Sequence, residues 1–309
     1  MINLRNTILF CSYFFLLGCS KDKQDPAGPD VYAVGSSNVY VYWKNGGASS
    51  LSFYPASITL SGSDVYISGT QGSGAVLHGI SWKNGVTTQL TDGSSFTSAW
   101  ATAVSGSDVY AVGGSDSSGY NAAILWKNGV AQHLGGQSAK SIALSGADVY
   151  VAGNLNNGQN FPAGYWKNGV ATSLTNGGGG AMAIAVSGND VYVAGWVEDT
   201  PFGKTVLWKN GVITELADAT HKITVTAIAV SGTDVYVTGN ENTSVAIKAL
   251  YWKNGSSTTL AEHGAANGMI VSGQDVYIAG ADDGDAVYWK NGSATKLGIR
   301  GAANGIFVK

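Results

Sequence analysis

The sequence predicts an all-β fold of seven four-stranded antiparallel units closed into a ring. Three observations predict it. Asp-Val-Tyr occurs seven times, beginning at Asp30, Asp64, Asp108, Asp148, Asp190, Asp234 and Asp275, at intervals of roughly 40 residues. Trp-Lys-Asn-Gly also occurs seven times, beginning at Trp43, Trp82, Trp126, Trp166, Trp208, Trp252 and Trp289. A short apolar run precedes each Asp-Val-Tyr after the first, such as Ile142-Ala143-Leu144, and a last copy, Ile306-Phe307-Val308, stands at the C-terminal end.

Each unit reads as four strands. Strand a is the Ile-Ala-Val run and strand b the Val-Tyr-Val-Ala run. Strand c ends on the Trp, and strand d follows the Asn-Gly. Strands a and b are joined by Ser-Gly-X-Asp, as in Ser187-Gly188-Asn189-Asp190. Asn-Gly between two strands marks a type I′ hairpin, because both of its central residues need positive φ. Four strands per roughly 40 residues is the period of a β-propeller blade. Small residues on strand a (Ala183, Ala185), a Tyr on strand b and a Trp on strand c suit a wedge that is narrow at the axis and wide outside.

The phase of the repeat predicts how the ring closes. The repeats begin on strand b, at Val31, and end on strand a, at Ile306 to Val308. The last strand a completes a unit only by pairing with the first strand b, which removes two open sheet edges. The expected fold is therefore a seven-bladed β-propeller closed by its N- and C-terminal strands.

Composition agrees. Gly occupies 44 positions and charged residues make up 12% of the chain, which fits strands joined by tight turns. A net charge of −3 gives no basic surface for a nucleic-acid backbone, so nucleic acid is not expected as a partner. The only cysteines are Cys11 and Cys19, which leaves none in the repeats for a disulfide or a thiolate metal site.

The N-terminus explains both. Arg5 precedes an apolar run from Thr7 to Leu17, too short to span a bilayer and of the length of a signal-peptide core. Leu16-Leu17-Gly18-Cys19 then resembles the lipobox of bacterial lipoproteins. The resemblance implies a signal peptide over residues 1–18, lipidation of Cys19 and a membrane partner through the lipid anchor. Ser20 to Pro29 is polar and holds two prolines, so residues 19–29 read as a flexible tether and 30–309 as the propeller. The Trp-Lys-Asn-Gly and Asp-Val-Tyr-Val-Ala-Gly repeats from Asp30 to Lys309 resemble those of Bacteroidetes-like lipoproteins. They lack the Gly-His and Trp-Asp signature of WD40 blades and the double glycine of kelch blades. That resemblance implies an outer-membrane lipoprotein of the cell envelope and brings no activity with it.

Function is expected on one face. The a–b and c–d turns are uniform, whereas the b–c and d–a loops differ in length and residues. Loops on a rigid scaffold carry binding residues. The candidates on this face are Tyr120, Phe161, Trp196 and Phe202, aromatics that suit a glycan or a protein ligand equally. A second candidate set is the position five residues before the Ser of each Ser-Gly: Ala56, Trp100, Lys140, Met182, Thr226 and Asn267, with Asn304 in the last unit. This position is diverse among uniform neighbours. Trp100, Lys140, Asn267 and Asn304 either line a pocket at the channel mouth or face solvent.

The repeated motif residues read as structure. The Asp is expected to accept backbone N–H bonds in its turn and the Lys to be a solvated hairpin charge. His78, His133, His221 and His263 fall in different units without metal-binding spacing, and a His263–Asp282 pair is the nearest suggestion of acid–base chemistry. Asp282-Asp283-Gly284-Asp285 resembles a calcium-loop fragment but lacks the later carboxylate. No cofactor motif is present, and a monomer without metal or cofactor is expected. The favoured reading is a non-enzymatic binding propeller. The alternatives are a polysaccharide lyase or glycosidase with an acid–base pair at the channel mouth, and a purely structural envelope protein.

Overall fold

The computed structural model describes residues 28–73, 76–91, 96–115, 122–198, 203–217 and 221–309. Residues 1–18 and Cys19 lie outside that set, as do Tyr120 and Phe202.

The described residues form seven four-stranded antiparallel sheets. In blades two to seven the strands run in sequence order from a to d; blade four, for example, holds Gly136–Ser145, Asp148–Leu155, Ala163–Lys167 and Val170–Ser173. Blade one takes its strand a from the far end of the repeats. Ala302–Val308 pairs with Val31–Ser36, joining Val31 to Val308 and Ala33 to Ile306. Backbone bonds between Asp30 and Lys309, at 2.8 and 2.9 Å, extend that ladder by one residue. The strands a contact one another from blade to blade around the whole circle. The chain is a seven-bladed β-propeller closed by its two ends.

The turns follow the motif chemistry. All seven Asn of Trp-Lys-Asn-Gly adopt positive φ, from Asn84 at 46° to Asn128 at 53°, and each is followed by a positive-φ Gly. These are type I′ hairpins. The Trp side chains fill the widening space between blades: Trp43, Trp126, Trp166, Trp208, Trp252 and Trp289 are fully buried. Trp82 is the half-buried exception, tilted against Tyr42 of the neighbouring blade at 6.0 Å between ring centres.

The repeated Asp differs from expectation. The backbone N–H after the Asp goes instead to the Asn of the c–d turn: Val149 N donates to Asn168 Oδ1 at 2.9 Å. The same amide donates from Nδ2 to Asp148 Oδ1 at 2.8 Å, while Lys167 Nζ lies 2.8 Å from Asp148 Oδ2 and 5.2 Å from the Tyr150 ring centre. The Tyr150 hydroxyl also reaches Asp148. This clasp of Asp, Tyr, Lys and Asn recurs in every blade, from Asp30 with Asn45 to Asp275 with Asn291. The amide displaces the carboxylate because the c–d turn folds back alongside the a–b turn, so one Asn side chain satisfies both strands. The Lys is solvated, as expected of a hairpin charge, and is in addition paired with the Asp.

Asp282-Asp283-Gly284-Asp285 is a b–c hairpin. Asp283 and Gly284 have φ of 47° and 77°, and Asp282 pairs with Asp285 across the turn. Asp285 is held by Lys296 at 2.7 Å and by Arg300 at 3.6 Å. The aspartates thus serve a type I′ turn and an ion pair.

Candidate functional site

Each strand a carries a β-bulge at the same place, with a second register shift between Gly136 and Ser138 in blade four, and the shared bulge explains the diverse position. In blade three, Ala99 pairs with Gly113 and Ala101 with Val112, so Trp100 is the extra residue without a partner. The same shift leaves out Ala56, Lys140, Met182, Thr226, Asn267 and Asn304 in the other blades. A bulge bends its strand and re-aims the extra side chain. Here all seven line one central cavity of about 240 Å³. Of the two readings open for Trp100, Lys140, Asn267 and Asn304, the pocket is the one that forms.

The strand-b glycine makes room for this. The last residue of Asp-Val-Tyr-Val-Ala-Gly stands opposite every bulge. A Cβ on Gly113 would sit 1.8 Å from the carbonyl oxygen of Ser98, and one on Gly153 would sit 1.9 Å from that of Ser138. Gly35, Gly69, Gly195 and Gly280 face the same obstruction at 2.1, 2.0, 1.9 and 1.8 Å. A glycine inside a strand signals a bulge or a close backbone approach. The repeated glycine was therefore the sequence signal that could have located the bulge.

The ring is polar on one side and charged on the other. Three consecutive junctions are stitched by side chains. Thr226 Oγ1 donates to Ala266 O at 2.8 Å, Asn267 Nδ2 to Ala303 O at 2.9 Å, and Asn304 Nδ2 to Pro55 O at 2.9 Å. In each case the acceptor is the residue just before the next bulge. Across the ring, Lys140 Nζ lies over the Trp100 indole, 3.7 Å from the ring centre. That geometry is a cation–π contact. Burial holds the Lys140 ammonium below the usual lysine range, with no carboxylate acting on it. None of the residues lining the cavity is Asp, Glu, His or Arg. Desolvation without a counter-charge raises the cost of keeping the ammonium charged.

The loop-face candidates are placed apart from this cavity. Phe161 lies exposed in the loop between strands b and c of blade four, with its carbonyl near the Asn154 amide. Trp196 belongs to strand b of blade five (Asp190–Val197) rather than to the loop after it, because the ladder continues through its pairing with Thr205. Its indole packs where a Cβ of Gly180 or Gly203 would otherwise stand. An aromatic pair escaped the sequence reading: Tyr40 and Tyr54, both exposed, meet edge-to-face at 6.0 Å on the loop-rich face. Both open their strands, so their exposure follows from strand ends rather than from any loop composition.

Among the described residues a His–carboxylate contact forms between His221 Nδ1 and Glu241 Oε1, at 3.1 Å, in blade six. His263 instead offers its backbone carbonyl to the Asp283 N–H at 2.8 Å. Among the described residues no group of three or more His, Cys, Asp or Glu is arranged to hold a metal ion.

No protein-family model and no curated protein sequence matches the chain. Among solved structures it is similar to the β-propeller domain of the Trilobed protease from Pyrococcus furiosus, with a TM-score of 0.53 and 11% identity over 89% of this chain and 97% of that one. That propeller is described as having an open velcro topology. The chain is also similar to the acylaminoacyl peptidase of Pyrococcus horikoshii, with a TM-score of 0.52 and 10% identity over 88% of this chain. It spans about half, 53%, of the peptidase. At these identities the likeness is one of fold: the chain is a β-propeller.

Proposed function

We propose that the chain is a lipid-anchored envelope protein whose propeller binds a ligand, without converting it, in the bulge-ring cavity and on the loop-rich face around it. The observation that carries this reading is the ring itself. Seven bulges aim seven side chains into one cavity, and those side chains differ while the flanking motif positions repeat. A purely structural demand would be met by the same residue seven times. The lining is mainly polar, with Lys140, Thr226, Asn267 and Asn304 converging on one hollow, and placed polar groups of this kind fix a ligand's orientation.

The anchor rests on the lipobox-like residues ending at Cys19 and on the direction of the chain. Asp30 begins the described ladder on the face of the a–b turns, opposite the variable loops. Residues 19–29 would attach there, and at roughly 3.3–3.6 Å per residue they reach no more than about 40 Å. In an anchored chain the tether then leaves from the face opposite the loop-rich one.

A glycan array and an affinity capture with the purified chain test the binding reading. Retained ligands are expected to be lost from a Trp100→Ala, Asn267→Ala variant that keeps its melting temperature. Ligand capture that is indifferent to both substitutions would overturn the cavity as the site, and cleavage of a captured glycan would overturn the non-enzymatic part.

A further inference from the structure

We infer that the cavity recognises a sugar acid, a hydroxylated monocarboxylate of one-ring size, with Lys140 meeting the carboxylate and the Asn267 and Asn304 amides meeting hydroxyls. This rests on the cavity being the ligand site.

Position in the ring carries the argument. Lys140 belongs to blade four, while Asn267 and Asn304 belong to blades seven and one. In a seven-membered circle these stand three blades away in either direction, which is directly across the channel. The cavity therefore has one cationic wall and one amide wall. One N–H of each amide is committed to a backbone carbonyl, at 2.9 Å, which fixes both side chains and leaves each with an Oδ1 acceptor and a second N–H donor. Carbonyl acceptors call for ligand O–H or N–H donors.

The cationic wall calls for an anion. Lys140 is the one charged side chain lining the cavity, and burial alone shifts it. Elsewhere the repeat Lys residues are each matched by an Asp, as Lys167 is by Asp148. A desolvated ammonium with no carboxylate partner is costly to the fold and is most simply explained by a partner that arrives with the ligand. Trp100 holds the ammonium in place until then. Size sets the remaining limit. About 240 Å³ falls below the roughly 300–1,000 Å³ of drug-sized pockets, so the cavity takes a single ring rather than an oligosaccharide. Ile142, Ile184 and Ile228 are also among its lining residues, and such apolar groups suit the C–H face of a sugar ring.

Isothermal titration of the purified chain with D-galacturonate, D-glucuronate, D-galactose, D-glucose and acetate tests this. At least one uronate is expected to bind about tenfold tighter than its neutral sugar, since a hydrogen bond to a charged group outweighs a neutral one by about that factor in affinity, and tighter than acetate, which lacks the hydroxyls. Lys140→Met is expected to remove that advantage and Lys140→Arg to keep part of it, with both variants melting as a folded propeller. Equal binding of uronate and neutral sugar, or uronate binding that survives Lys140→Met, would overturn the sugar-acid assignment while leaving the cavity as a ligand site. Acetate binding as tightly as either uronate would reduce the site to a simple anion hole and overturn it too. No heat with either uronate, alongside array ligands that depend on Trp100 and Asn267, would overturn the assignment alone. No heat and no such array ligands would overturn both readings.

Discussion

Lys140 and Trp100, neighbours in the ring of bulges, place an ammonium 3.7 Å from the centre of an indole inside a cavity without carboxylates. The contact relieves only part of the cost of desolvating the charge. A cation–π pair contributes about 0.5–2 kcal/mol, whereas burying an unmatched ammonium costs more.

The first prediction follows from that imbalance. Burial lowers the Lys140 pKa, so charge on it opposes folding at neutral pH. Lys140→Met is expected to raise the melting temperature, by an amount corresponding to about 0.5–2 kcal/mol, the range typical of relieving a functional strain. Thermal unfolding followed by circular dichroism checks it. A clear loss of stability would show that Lys140 is part of the scaffold.

The bulge glycines give a second prediction. Gly113→Ala drives a Cβ to 1.8 Å from the Ser98 carbonyl oxygen, a contact that backbone alone must relieve. Overpacking of this kind costs about 1–3 kcal/mol. The substitution is expected to lower stability by that amount and to disturb Trp100, which follows the opposing Ala99. Chemical denaturation compared with Gly106→Ala would separate steric conflict from turn strain. Gly106 has φ of 59° and nothing within 4 Å of its would-be Cβ.

These glycines also show what the sequence could and could not convey. The hairpins, the blade count and the terminal pairing were legible because Asn45 with Gly46, Trp43 and Val31 each report a local rule: φ sign, packing size, strand phase. The diverse ring was legible as a position, since Trp100 and Lys140 interrupt a row of small residues. Its destination was not legible in alternation, which cannot reveal an added residue; the repeated strand-b glycine opposite the bulge was the signal that carried it. The Asn168 amide bridging to Asp148 was hidden, since it joins two turns distant in sequence that meet only once the blade is formed.

The clasp gives a pH dependence. Asp148 is held below the usual carboxylate range, first by its hydrogen bond to Lys167 and then by that to Asn168, and the other repeat Asp residues are lowered in the same direction. For Asp30 the Asn45 bond comes first. A lowered pKa means the unfolded chain takes up protons first as acid is added. The stabilisation is complete above the unfolded value near 3.9 and declines as pH falls through the lower folded values. Lys83, Lys127, Lys209, Lys253 and Lys290 are raised by the matching Asp, so their share is complete below about 10.4 and declines as pH rises through the folded values. A melting-temperature profile is expected to be flat between these limits and to fall at both ends. Asp148→Asn is expected to soften the acid limb, and an acid limb unaltered in shape by that change would count against the clasp.

Lipid attachment supplies a simple biochemical test. Cys19→Ala is expected to abolish incorporation of labelled fatty acid and to release the chain from the membrane fraction. Undiminished labelling would exclude Cys19 as the anchor.

Closure of the ring depends on Ile306 and Val308, both buried in blade one. Deleting Gly305 to Lys309 removes both side chains, worth about 3–6 kcal/mol together, and most of the ladder to Val31–Ser36. The shortened chain is expected to melt far below the complete one or to aggregate. An unchanged melting temperature would show that the ring does not need its C-terminal strand.

The cavity as a ligand site is tested most directly by a crystal structure of the chain grown with D-galacturonate. The expected result is a sugar inside the ring of bulges, its carboxylate within hydrogen-bond distance of Lys140 Nζ and its hydroxyls at the Asn267 and Asn304 amides. A sugar seated only among the outer loops, with the bulge ring unoccupied, would contradict the account.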